Sequence, residues 1–163
     1  MGKARSYEII EYRKKIFGAI TDSPELVTLL GEEDSDDPAE TIPYRKSFPH
    51  EFVPDTITET DRFLNFDVIA YLDTKNNVYK DITVCFYVVC HKAVVRIDKN
   101  SLTLWYDKVV CELDDIFSKT DVLGIGCTMQ LASNVPYIPH KDFKGRLLKF
   151  TVKDFNNGAK YGA

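Results

Sequence analysis

The sequence predicts an α+β fold: one antiparallel sheet of about four or more strands, packed against helices in a single domain. Two observations carry this. Residues 62–73 and 80–89 place β-branched and aromatic side chains with the period of a strand, and the pattern after Leu102 changes to that of a helix. The segment at 80–118 is central. Ile82, Val84, Phe86 and Val88 fall on one face of its strand, with Thr83, Cys85, Tyr87 and Val89 on the other. Apolar residues on both faces mark a strand inside a sheet.

In chain order, residues 6–20 read as an amphipathic helix with Ile9, Tyr12, Ile16 and Ile20 on one stripe, flanked by Ile10 and Phe17. Arg5, Arg13, Lys14 and Lys15 lie opposite, as a solvated face. A second helix starts at Pro24 behind a capping Asp22 or Ser23, buries Leu26, Val27, Leu29 and Leu30, and stops at Gly31. Residues 32–60 form a long loop or arm. Its first part, 32–41, is the most acidic stretch and reads as a mobile solvated loop. From 42 onward it carries Pro43, Pro49 and Pro54 among Tyr44, Phe48 and Phe52. Two readings stay open for this segment: a packed connection, or an arm docking on another subunit.

A strand over 62–73, a turn at 74–77 and the strand from 80 make a hairpin. Asn100 or Ser101 is expected to cap a helix whose stripe is Leu102, Trp105, Val109, Leu113 and Ile116, widened by Tyr106, Val110 and Phe117. Gly124 and Gly126 make a tight passage into a third strand at Cys127, Met129 and Leu131, with 133–141 as a loop. The last strand opens at Lys144-Gly145, turns Leu148, Phe150 and Val152 inward, and is placed near a sheet edge. The tail 156–163 lacks periodicity and is expected to be flexible.

The totals exclude several classes. A chain of 163 residues is about one domain. A net charge of −4 argues against a general nucleic-acid binder. The longest apolar run, Val84 to Cys90, is far short of the roughly twenty residues of a membrane helix. No apolar leader precedes Tyr7, and the chain is expected in the cytoplasm. Cys85, Cys90, Cys111 and Cys127 sit in apolar periodic segments and read as buried structural thiols, with Cys90-His91 the one hint of a thiol or metal site. No phosphate loop, nucleophile elbow or metal-ligand spacing occurs, so no catalytic, cofactor-binding or metal residue is assigned. The alternative of another class is a small metal-dependent nuclease that gathers Asp67, Asp73, Asp81 and Glu112.

A further signal lies in the order of short segments. Ser23-Pro24-Glu25-Leu26-Val27-Thr28-Leu29-Leu30-Gly31 is followed by a polar loop and a crossing at Ile42-Pro43 and Val53-Pro54. A strand ends in Val89-Cys90-His91, and a helical region opens with Asp98 and carries Tyr106-Asp107-Lys108-Val109-Val110 and Leu113-Asp114. The last strand begins Phe143-Lys144-Gly145-Arg146-Leu147. In this order the chain resembles the small neck and tail-completion proteins of tailed bacteriophages, above all tail terminators. The resemblance implies a structural virion protein at the head–tail junction, without catalysis or cofactor, assembled in the host cytoplasm. It implies a ring, usually a hexamer, that caps the tail tube and meets the head-side connector, with DNA passing through the lumen without sequence-specific binding. A head-completion, stopper or adaptor protein of the neck is the nearest alternative. On this reading Tyr44, Arg45, Phe48 and Phe52 contact a neighbouring subunit or the tube, and Glu33, Asp34, Asp36 and Asp37 line the lumen.

Overall fold

The structure, a computed structural model, describes residues 6–55, 62–72, 75 and 78–155. The expected flexible tail, the end of the arm, Asp73, Arg5 and most of the 74–77 turn lie outside the described residues. Four helices and four strands follow in the order α1 (Tyr7–Thr21), α2 (Pro24–Leu29), α3 (Pro38–Thr41), β1 (Arg62–Leu72), β2 (Tyr79–His91), α4 (Trp105–Lys119), β3 (Gln130–His140) and β4 (Phe143–Phe155). The strands form one antiparallel sheet in the order β1-β2-β4-β3. This is an α+β fold.

The core lies between the helices and one face of the sheet. Leu64, Phe66 and Val68 of β1, Ile82, Val84, Phe86 and Val88 of β2, and Leu148, Phe150 and Val152 of β4 all point into it. Phe86 stands at the centre, with Phe117 of α4 at 4.8 Å and Phe150 at 5.9 Å in edge-to-face contact. From the helices come Tyr12, Ile16 and Ile20 of α1, Leu26 and Val27 of α2, and Trp105, Val109, Leu113 and Phe117 of α4. Burying each such large side chain contributes about 1.5–3 kcal/mol. Trp105 also donates its indole N–H to the Leu29 carbonyl at 2.7 Å, which ties α4 to the end of α2.

Caps explain the first helices. The Ser23 side chain accepts from the Leu26 amide, Pro24 opens α2, and Gly31 takes a φ of 77° just after its end. At the foot of α1, buried Lys80 pairs with Glu8 and lies 3.3 Å from Asp154, which also accepts from the Tyr12 hydroxyl at 3.0 Å. Burial, reinforced by the Asp154 charge, pushes the Tyr12 phenol up and keeps it neutral.

Several expectations need correction. The long helix starts at Trp105, with Leu104 as its N-cap and no side-chain cap. Asn100 and Ser101 instead donate their backbone N–H groups to Asp98, in a turn that competes with helix formation. Leu102 is therefore off the helix and 98% exposed. The third strand begins at Gln130, not Cys127, and runs through the expected loop to His140, prolines included. An edge strand tolerates proline because only one side of its ladder is paired. The last strand is interior, paired to β2 on one side and β3 on the other. The acidic loop contains the short helix α3, opened by Asp37 and Pro38. Cys111 and Cys127 are exposed, while Cys85 and Cys90 are buried. The basic face of α1 is used inside the molecule too: Arg13 reaches Asp67 at 3.0 Å, and Lys15 donates to the Leu123 carbonyl at 2.7 Å.

Candidate functional site

The segment 42–54 is a strap that folds back on its own sheet. Its start is a tight turn in which the Ile42 carbonyl accepts from the amides of Arg45, Lys46 and Ser47. Tyr44 takes a φ of 60°, an uncommon conformation for a tyrosine, and is held there by donating its N–H to the Ser47 carbonyl at 2.8 Å. The strap then pairs with the outer edge of β1. Leu64 and Phe66 donate to the carbonyls of Lys46 and Phe48 at 2.9 and 3.0 Å. Between them, fully buried Asn65 accepts from the Phe48 amide at 3.1 Å and donates to the Phe52 carbonyl at 2.9 Å.

This pairing carries aromatic rings onto the sheet face that has no helices. Phe48 and Phe52 stack at 3.9 Å, and Phe52 meets Phe63 edge-on at 5.5 Å. With Val53 and Tyr137 they pack around buried Phe63, Val89 and Phe143, forming a second small core. The strap reaches across to β3, where the Tyr137 hydroxyl contacts Glu51. Its outer side leaves a cleft of about 380 Å³ lined by Tyr44, Arg45, Lys46, Phe48, Phe52, Pro54 and Phe63. Tyr44 is 64% exposed and meets Phe48 edge-on. The four residues singled out as contacts thus share one surface, with Phe48 and Phe52 half-buried and Tyr44 and Arg45 outward.

Glu33, Asp34, Asp36 and Asp37 are all exposed beside this strap. Asp34, Asp36 and Asp37, but not Glu33, line a hollow of about 500 Å³ along residues 31–41, and Glu32 on its wall sits 3.7 Å from Arg45. Asp37 also caps α3 by accepting from Ala39.

The opposite edge of the sheet was missed in the sequence. β3 carries no lysine, arginine, aspartate or glutamate over its eleven residues, and Leu131, Val135 and Ile138 are exposed, Ile138 at 63%. Natural sheets blunt their edges with charge or proline, and on this edge Pro136 and Pro139 serve in place of charge. The lack of charge from 130 to 139 was the available signal, hidden by reading Pro136 and Pro139 as loop markers.

The nuclease carboxylates are not brought together. Asp67 and Asp81 lie on the helix-free face and pair with Arg13 and Lys153, whereas Glu112 is on α4 across the sheet. Asp73 lies outside the described residues, among which no three histidines, cysteines or carboxylates are grouped to hold a metal. At Cys90-His91, burial pushes the thiol up to about 12, and the His91 ring accepts from the Ala93 amide. No helix among the described residues is long and apolar enough to cross a membrane.

At the β3–β4 turn, Asp142 accepts from the Lys92 ammonium at 2.6 Å, and its carbonyl accepts from the Lys92 amide at 2.8 Å. The hydrogen bond and charge of Lys92 hold this carboxyl below the usual carboxylate range. A depressed folded-state value stabilises above the unfolded value and is lost as pH falls through the folded one. Asp142→Asn is therefore expected to flatten the acid limb of stability below about pH 4, leaving neutral behaviour of other groups unchanged. Thermal melts from pH 2 to 7 check this. Parallel wild-type and variant curves would count against it.

The YomW family profile matches residues 23–152, from the cap of α2 into β4, three residues before its end. A search of curated proteins returns no match.

Proposed function

The chain belongs to the YomW family, a phage-derived family, and from that premise we propose that it is a structural virion protein of the head–tail junction. Its finer role is that of a tail terminator, a ring that caps the tail tube and joins it to the head-side connector. One observation carries this reading: the sheet ends in two unlike surfaces. The aromatic strap covers the outside of β1, and the uncharged strand β3 forms the other edge. Unlike surfaces on opposite sides are what a head-to-tail interface needs, and such interfaces close into rings when the rotation per copy divides a full turn. A two-fold dimer would need a single self-complementary patch instead.

The acidic segment Glu33–Asp37 supports the same role. Carboxylates along a lumen repel phosphates, so DNA slides past without sticking. No step in this role requires a reaction, a cofactor or a membrane. Mass photometry and negative-stain images of the purified protein test the proposal. Closed rings of about six copies of the 18.7 kDa chain, capping added tail tubes, are expected. Metal-dependent cleavage of DNA by the same preparation would overturn it in favour of the nuclease.

A further inference from the structure

The sheet register sets the two edges at matching heights. Phe63, on the wall of the strap cleft, lies opposite Val89 of β2; Val89 lies opposite Gly145 of β4; and Gly145 lies opposite Tyr137 of β3. One row across the strands thus connects the cleft to the segment Pro136-Tyr137-Ile138-Pro139 on the far edge. Copies placed side by side around an axis along the strands would bring that segment to the next copy's cleft.

We infer that Pro136–Pro139 of one copy seats in the cleft formed by Tyr44, Phe48, Phe52 and Pro54 of the next copy. The inference rests on the ring reading above and names the contact that builds it. The chemistry on the two sides matches. Aromatic-lined clefts take extended apolar segments that carry proline, and a segment already held in a strand has little chain entropy left to lose. Ile138 supplies the large exposed apolar side chain between the prolines. Charge and hydrogen bonding agree as well. Two prolines remove N–H donors from β3 and leave its carbonyls, so its complement is a donor surface and not another copy of the same strand. Arg45 on the cleft wall, whose guanidinium has N–H groups beyond the one facing Glu32, is such a donor, and 130–139 brings no cation to repel it.

Cysteine crosslinking tests the contact. In a background with exposed Cys111 and Cys127 changed to serine, one preparation carries Tyr44→Cys and a second carries Ile138→Cys. Both positions are exposed, so neither change touches the helix-covered core. Mixing and mild oxidation are expected to give disulfide-linked dimers at least about tenfold above either variant alone. Ile138→Asp is expected to reduce the assembled fraction in mass photometry by a similar factor, with an unchanged melting temperature. Assembled rings without the mixed disulfide, or with Ile138→Cys pairing mainly to itself, would overturn this contact and leave the ring standing. Monomers at every concentration, with or without tail tubes, would overturn both.

Discussion

Gly145→Ala is expected to be among the most damaging single substitutions in this chain. Gly145 lies in the interior strand β4, between Val89 of β2 and Tyr137 of β3. A Cβ there would stand 2.7 Å from the Val88 carbonyl carbon and closer still to its oxygen. That neighbour is backbone in the middle of a ladder, so relief requires β2 and β4 to part. The cost should reach about 3 kcal/mol, the upper end for overpacking. For a chain of this size, that lowers the melting temperature by roughly 10 °C. Gly18→Ala is the matched contrast, since nothing lies within 4 Å of its added Cβ in the interior of α1. It should stabilise the protein by up to about 1 kcal/mol through helix propensity. Calorimetry of the two variants checks both signs. A Gly145→Ala melt within about 2 °C of the parent would refute the close approach.

Asn65→Ala should detach the strap while leaving the helix-covered core in place. The Asn65 side chain is a buried polar link between β1 and the strap, beside the Ser47 hydroxyl that donates to the Leu64 carbonyl, and it serves the Phe48 amide and the Phe52 carbonyl together. Removing it leaves a donor and an acceptor without partners, at about 1–3 kcal/mol each, for a total near 3 kcal/mol. Because Phe48 and Phe52 belong to the small second core, the loss should be local. Hydrogen exchange is therefore expected to quicken across 44–54 before any change in β2 or β4. The variant should also fail to form rings, since its cleft would lose its shape. Uniform exchange across the chain, or a strap as protected as the parent's, would contradict this account.

The helix-backed sheet was legible because its signals are dense. Ile82 to Val89 is an unbroken run of β-branched, aromatic and cysteine side chains apolar on both faces, and Ser23-Pro24 with Gly31 brackets α2 by cap chemistry alone. The register of the last two strands was not legible. Pro136 and Pro139 read as breakers in isolation, and only the edge position of β3, a tertiary fact, makes them compatible with a strand. Leu102 misled in the opposite direction. Its spacing to Trp105 fits a helical stripe, but the Asp98 side chain captured the local N–H groups first. The site was half visible. The run of aromatics at Tyr44, Phe48 and Phe52 stood out, whereas nothing in the sequence marked Asn65 as their anchor. A lone asparagine in an alternating strand announces no partner seventeen residues away.

Localisation on the virion is the most direct test of the structural role. Gold-labelled antibody against the chain, imaged on intact phage particles and on isolated tails, should mark one band where the head meets the tail and the matching end of the free tail. Particles that carry no label, or label spread over the capsid or the distal tip, would contradict the assignment to the junction.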